Sequence, residues 1–257
     1  MPKLGEIDLR GRTAIVTGGG RGIGRTLALG LAEHGARVAV IESNGLSEAE
    51  GVCDLVRAGN GQAMTVKADV TRSHEVQEMV EGVLKAWHRV DILVNNAATV
   101  TRGLLMETSE EEYDRVMAVN VKGVFLCCRN VGRAMVAQGG GSVVNITSVA
   151  AERGMRERSI YAASKAAVVS LTKSLALEWA PHHVRVNAVS PAYVNTPLTR
   201  PLFQPGEPYY EWILSKTPLR RVLEPEELVG AVVFLASDAA SAVTGAVIPV
   251  DGGWLAD

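Results

Sequence analysis

The stretch SIYAASKAA, residues 159–167, sets Tyr161 and Lys165 four residues apart, so a phenol and an amine lean from one helical face toward a common point. A free phenol has a pKa of about 10, too high for a base near pH 7. An ammonium about 4 Å from the phenolate would supply about 4 kcal/mol at an effective dielectric of 20, close to three pKa units. The pair is therefore expected to act as an acid/base centre, with Lys165 drawing Tyr161 toward neutrality. Ser148, 13 residues before the tyrosine, ends a strand-like run and is placed to donate to a substrate oxygen. Taken alone, such a serine caps a turn. Asn120 falls inside a long helical stretch where asparagine is a poor helix former, which calls for either a role or a local kink.

A second constellation lies near the start of the chain. AIVTGGGRGIGRTLALGLAEHGA joins a strand, a glycine-rich turn and a helix. Gly18, Gly22 and Gly24 lack side chains where the backbone must turn tightly and lie against a pyrophosphate, whose charge the helix N-terminus would meet. Glu42 ends the second strand 18 residues after Gly24, where a carboxylate can accept from both adenosine ribose hydroxyls. A 2′-phosphate would face it at about 4 Å, costing about 4 kcal/mol per charge pair at an effective dielectric of 20. NAD is the expected cofactor, and NADP is disfavoured. Arg21 either holds such a phosphate or pairs with Glu42. Asp69, after TVKA, either accepts from the adenine amine or serves as a helix N-terminal acid.

The elements that must position these groups are read from short apolar runs alternating with longer amphipathic stretches. RTAIVT, RVAVI, AMTVKA, VDILV, SVVNIT, VRVNAVS and AVIPV are apolar on successive residues, as strands buried on both faces are. A doubly wound, Rossmann-type α/β fold follows, a parallel β-sheet flanked by helices, with helices near 74–88, 110–137, 160–180 and 225–236. All 257 residues are expected to form one domain. Residues 197–221, which hold five of the ten prolines among aromatics and arginines, form a substrate lid within it.

Lys and Arg number 26 against 28 Asp and Glu, a net charge of −2, which speaks against a nucleic-acid footprint or an acidic-membrane patch. Cys53, Cys127 and Cys128 show no CxxC or framework spacing and read as reduced cytosolic thiols; no metal site is expected. MPKLGEIDLRGR carries charges where a signal peptide needs an apolar run, and no 18-residue apolar stretch follows, so a cytoplasmic protein is expected.

Nearly the whole chain resembles the short-chain dehydrogenase/reductase family. TGGGRGIG matches its cofactor loop, NNAA at 95–98 its NNAG segment, and VNVKGVF carries its active-site asparagine at Asn120. ITSVA carries its serine at Ser148, YAASK its Tyr161 and Lys165, VSPAYVNTP the segment after the sixth strand, and TGAVIPVDGGW the C-terminal end. The resemblance implies hydride transfer between nicotinamide and a secondary alcohol or ketone, with Asn120, Ser148, Tyr161 and Lys165 catalytic. Asn120 would relay protons through water to Lys165, which also bonds the nicotinamide ribose. Ile23, Val70, Asn96, Val194 and Thr196 would join the glycines, Arg21, Glu42, Asp69, Tyr161 and Lys165 around the cofactor, and Asn95 would brace the glycine loop. A homo-oligomer, most simply a tetramer, is also implied; VVSLTKSLALEWA, apolar beyond one stripe, supplies a physical motive. Ala98 and Ala192 stand where the family has glycine, and at a positive φ each would cost about 1 kcal/mol or more.

Substrate choice is expected from two segments. AAERGMRERS puts Arg153, Arg156 and Arg158 between the catalytic serine and tyrosine, where one either binds a substrate carboxylate or all pair in solvent with Glu152 and Glu157. Tyr193, Tyr209, Tyr210 and Trp212 either stack on a sugar face as a lid or pack against the core. YVNTPLTRPL and KTPLRRVLEPEEL resemble sugar and polyol dehydrogenases of the family, gluconate 5-dehydrogenases among them. The expected substrate is thus an alcohol of a polyol, sugar or sugar acid. A 3-oxoacyl thioester reductase is the alternative enzyme, and a non-catalytic dinucleotide sensor or scaffold the alternative class.

Overall fold

The computed structural model describes residues 7–256; the first half of the segment tested for a signal pattern lies outside them. The seven apolar runs pair into one parallel sheet: β1 (Thr13–Thr17), β2 (Arg37–Glu42), β3 (Ala63–Lys67), β4 (Ile92–Asn95), β5 (Gly141–Ile146), β6 (Val184–Pro191) and β7 (Val247–Val250). Their order is β3-β2-β1-β4-β5-β6-β7, with Ala14 of β1 in register with Val38 on one side and Ile92 on the other.

Both faces of the sheet are covered, which is why its strands carry unbroken apolar runs. Ala14, Val16, Val38 and Val40 pack on one face against Leu27 and Leu31 of α1 (Gly22–Glu33), Val52 of α2 (Leu46–Ala58) and Leu235 of α8 (Val229–Ala236). The residues between them, Ile15, Ala39 and Ile41, point the other way. There they meet Met79 and Val83 of α3 (Ser73–Trp87), Leu126 and Val131 of α5 (Val124–Gln138), and Val168 and Leu175 of α6 (Ser159–Trp179).

Two helices depart from expectation. The stretch near 110–137 is not one α-helix: α4 (Glu110–Met117) and α5 are joined by a π-helical turn, Ala118–Gly123, that contains Asn120. The one expected from 225 opens as a 3-10 turn, Pro225–Leu228, before α8. The 197–221 segment is folded, holding the 3-10 turn Arg200–Leu202 and α7 (Pro208–Lys216). It is docked through a small third core in which Val149, Ile213 and Trp254 are buried among Tyr193, Phe203 and Tyr209. Among the described residues no helix is long and apolar enough to cross a membrane.

Candidate active site

Chain order along the sheet reverses between β1 and β4, and in open α/β sheets the crevice at the carboxyl ends of such strands receives ligands. A cavity of about 860 Å³ occupies that position. By strand order it runs from Glu42 and Asp69, at the ends of β2 and β3, past the glycine loop to Ser148 and Tyr193, beyond β5 and β6.

The glycine loop has no space to spare. A Cβ on Gly24 would lie 2.0 Å from the Gly18 carbonyl oxygen, and one on Gly18, at φ +60°, would lie 3.0 Å from the Ala97 Cα. Gly24 therefore lies under the loop, letting helix and strand close together, while Gly18, Arg21, Gly22 and Ile23 face the cavity. No side chain caps α1, so its first-turn N–H groups remain available to an anion. These features fit a pyrophosphate, as a nicotinamide dinucleotide would require. The brace of this loop is Asn96, not Asn95: its Nδ2 donates to the Thr17 and Gly18 carbonyls, each at 3.0 Å. Asn95, the last residue of β4, turns inward and donates to Asn145 Oδ1 at 2.8 Å. One step along a strand changes the face that a side chain occupies.

At the adenosine end, half-buried Glu42 accepts from the Gly20 N–H at 3.1 Å. Burial pushes its carboxyl up, against the Gly20 hydrogen bond and the Arg21 guanidinium, which pull it down. Arg21 thus acts on Glu42 while also lining the cavity. Asp69 lines the cavity too, and its Oδ1 accepts from Thr71 N and Oγ1 at 2.9 and 2.8 Å, closing the turn before α3. Val70, Asn96, Val194 and Thr196 complete the wall. Neither Ala98 nor Ala192 has a positive φ, so their methyl groups impose no left-handed strain.

At the other end Ser148, Tyr161 and Lys165 share the cavity. Ser148 is extended at φ −169°, and its Oγ accepts from Ala150 N at 3.2 Å. Lys165 is buried, donates from Nζ to the Ile146 carbonyl at 2.9 Å, and lies 5.8 Å from the centroid of the Tyr161 ring. The expected depression of Tyr161 by Lys165 is not found. Burial pushes the phenol up, opposed by hydrogen bonding from Ser148 and by the Arg158 charge, while burial pulls Lys165 down to about 8. The ammonium is directed at a carbonyl, and desolvation is the largest influence on the phenol.

Asn120 is fully buried and its side chain is fully engaged. Nδ2 donates to the Thr99 carbonyl at 2.9 Å and to Ser164 Oγ at 3.0 Å, and Oδ1 accepts from Thr99 N at 2.8 Å. Ser164 Oγ donates in turn to the Tyr161 carbonyl at 2.7 Å. The amide therefore ties the loop after β4 to the helix that carries Tyr161, and the π turn, a feature frequent at functional sites, sets it there.

The arginines separate. Arg153 donates from Nη1 to the Trp254 carbonyl at 3.0 Å, outside the cavity lining, and Arg156 is exposed. Arg158 lines the cavity. Tyr193 also lines it, with its hydroxyl 2.7 Å from that of Tyr209. Trp212 stays outside, packed on Trp254 and Tyr209 at centroid distances of 5.6 and 5.7 Å. Arg102 joins the cavity, although the sequence reading passed over it. Its signal was positional: it lies in the loop that leaves the carboxyl end of β4, where ligands of such sheets bind.

A family model described as enoyl-(acyl carrier protein) reductase matches residues 18–255. A 3-oxoacyl-acyl-carrier-protein reductase of Staphylococcus epidermidis is 38% identical over 242 residues, 94% of this chain and 98% of that protein. A structure from Beutenbergia cavernae, provisionally described as an NAD(P)-dependent gluconate 5-dehydrogenase with NADP bound at low occupancy, superposes with a TM-score of 0.92 at 43% identity. It covers 98% of this chain and 100% of its own. A gluconate 5-dehydrogenase from Burkholderia cenocepacia, in complex with NADP and tartrate, gives 0.93 at 36% identity, covering 98% of each chain.

Proposed function

The chain belongs to the short-chain dehydrogenase/reductase family of oxidoreductases, and from that premise we propose an NAD-dependent dehydrogenase acting on a secondary alcohol of a polyol, sugar or sugar acid. The observation that carries this reading is the convergence of Ser148, Tyr161 and Lys165 on one cavity whose far end holds Glu42. A nicotinamide dinucleotide supplies the hydride acceptor or donor when bound, held by the glycine loop, Asn96, Val194 and Thr196. Ser148 and Tyr161 hold the substrate oxygen, and Tyr161 moves its proton. Lys165 presents a cation from the cavity floor, and Asn120, through Ser164, fixes the first turns of α6 so that the phenol stays aimed.

NAD is favoured over NADP by Glu42, a half-buried carboxylate that a 2′-phosphate would have to face. NADP in two of the relatives weighs the other way, as does the proximity of Arg21. The second reading, a 3-oxoacyl thioester reductase, is supported by the Staphylococcus relative. A non-catalytic sensor would have no use for the serine, tyrosine and lysine together. We read the protein as cytoplasmic from three buried free cysteines, and as a homo-oligomer from the groove between α5 and α6, where Phe125 is exposed and Leu171 and Trp179 are only partly covered.

The discriminating experiment is a panel of polyols, aldonates and 3-oxoacyl thioesters, each with both dinucleotides, followed at the absorbance of the reduced nicotinamide. Turnover of polyhydroxy compounds with NAD supports the proposal; thioester reduction alone, with NADPH, replaces it with the second reading.

A further inference from the structure

We propose that Arg158 and Arg102 form an anion site at the substrate end of the cavity, selecting a hydroxy acid that gives its carboxylate to the two guanidinium groups and its secondary alcohol to Ser148 and Tyr161. The inference rests on the dehydrogenase reading and narrows its substrate to acids.

Charge is distributed unevenly along the cavity. The two carboxylates in its wall, Glu42 and Asp69, stand at the ends of β2 and β3 with Arg21 as the cation on that side, whereas Arg158 stands near Tyr161 and both Arg158 and Arg102 near Tyr193. Arg158 sits at the N-cap of α6, three residues before Tyr161, and is partly buried. Among the described residues its guanidinium has no hydrogen bond and no ion pair, so its fork of donors is free for a planar carboxylate. A half-buried cation without a counterion is costly unless a ligand supplies one.

Arg102 is aimed by two contacts that leave part of its fork unused. Its Nε donates to Glu157 Oε2 at 3.0 Å, and its guanidinium lies over the Tyr209 ring at 4.5 Å. The two loops are joined, since Gly103 N donates to the Glu157 carbonyl at 3.1 Å. Glu157 takes a left-handed φ of 61°, uncommon for a residue with a side chain; its carboxylate bonds Arg102 while the next residue, Arg158, lines the cavity. Both guanidinium groups lie close enough to Tyr193 to act on its phenol, which places them around one side chain. Arg153 and Arg156 take no part.

The test uses the full-length protein with Tyr161→Phe, loaded with NADH, so that binding is read by nicotinamide fluorescence without turnover. Gluconate and its neutral alditol, sorbitol, are titrated. Gluconate should bind at least about tenfold more tightly, and Arg158→Gln and Arg102→Gln, which preserve much of the side-chain length, should each weaken it by about tenfold to a hundredfold, the range spanned by hydrogen bonds to charged groups. The ratio of gluconate to sorbitol affinity should collapse in both variants and stay unchanged in Arg156→Gln; NADH affinity reports that each variant folds. Equal binding of the two probes, or gluconate affinity unmoved by both substitutions, overturns the anion site. Turnover of sorbitol by the unsubstituted enzyme without any preference for gluconate would leave the dehydrogenase reading standing and remove the anion site. Reduction of acetoacetyl thioester with no turnover of either polyhydroxy compound would remove the sugar reading, and the titration would still decide the anion site by itself.

Discussion

Lys165 Nζ points at the Ile146 carbonyl, 2.9 Å away, and passes Tyr161 at 5.8 Å from the ring centroid. The two side chains share a helical face as their spacing requires, yet the lysine is anchored to β5, leaving the phenol to its buried surroundings. Burial holds Lys165 down to about 8 and holds Tyr161 up. A phenol held up in this way keeps its proton near neutrality, whereas the lysine lies within about a unit of losing its own.

A pH dependence with a definite sign follows. The kcat/KM for NADH reports groups of the free enzyme. If Lys165 binds the nicotinamide ribose as an ammonium, kcat/KM should be level near pH 7 and fall as pH rises through about 8, where the depressed lysine deprotonates. Tyr161, raised above its ordinary value, stays protonated over the same interval and does not compensate. A profile level to pH 9.5 would separate Lys165 from cofactor binding. Alcohol oxidation, which needs the tyrosine as a base, should instead gain from rising pH until the lysine charge is lost.

Tyr161→Phe should reduce turnover to less than about 1% while leaving NADH affinity nearly unchanged, because the phenol handles the substrate proton. Lys165→Ala should lower both. Fluorescence titration with NADH beside steady-state rates separates the two effects, and a phenylalanine variant with a tenth of the parent rate would contradict the proton assignment.

The sheet was legible because strands covered on both faces must be apolar on consecutive residues, and β1, β2 and β4 are. The shared cavity position of Ser148, Tyr161 and Lys165 was legible because each sits in a local pattern, Ser148 just past the end of β5 and Tyr161 with Lys165 on one helical turn. The π turn at Ala118–Gly123 was not, since one widened turn leaves the apolar pattern of the flanking helices intact. The loop brace expected of Asn95 falls to Asn96, which also lines the cavity as expected, because the strand ends between them and a boundary error of one residue reverses the face. Among the arginines, selection came from tertiary contacts: Arg153 is taken by the Trp254 carbonyl, and Arg102 is directed by Glu157, a partner 55 positions away. No local spacing encodes either contact.

Cofactor choice should turn on Glu42. NAD should exceed NADP by at least about tenfold in kcat/KM, and Glu42→Ser should bring the two within about threefold by removing the charge that faces a 2′-phosphate. Both dinucleotides measured on one substrate decide this. Preference for NADP in the parent would assign control to Arg21, whose guanidinium acts on the Glu42 carboxyl and could equally meet the phosphate.

Two helical glycines should respond to alanine in opposite directions. In a helix interior, alanine is favoured over glycine by about 1 kcal/mol, so propensity alone would make either substitution stabilising. Gly82, within α3, has nothing within 4 Å of where its Cβ would lie, so Gly82→Ala should realise most of that gain and raise Tm by about 2–4 °C. Gly24, in the first turn of α1, would place a methyl 2.0 Å from the Gly18 carbonyl oxygen and 2.5 Å from Asn96 Nδ2. Neither neighbour can yield cheaply: the carbonyl belongs to the loop, and Asn96 Nδ2 is bonded to the Thr17 and Gly18 carbonyls. Gly24→Ala should therefore push the loop out of position, lowering Tm and weakening NADH binding by more than about tenfold, whatever the substrate. Thermal unfolding and NADH titration of both variants provide the check. A Gly24→Ala protein that bound NADH like the parent would mean that the close approach of loop and helix is not what the dinucleotide requires.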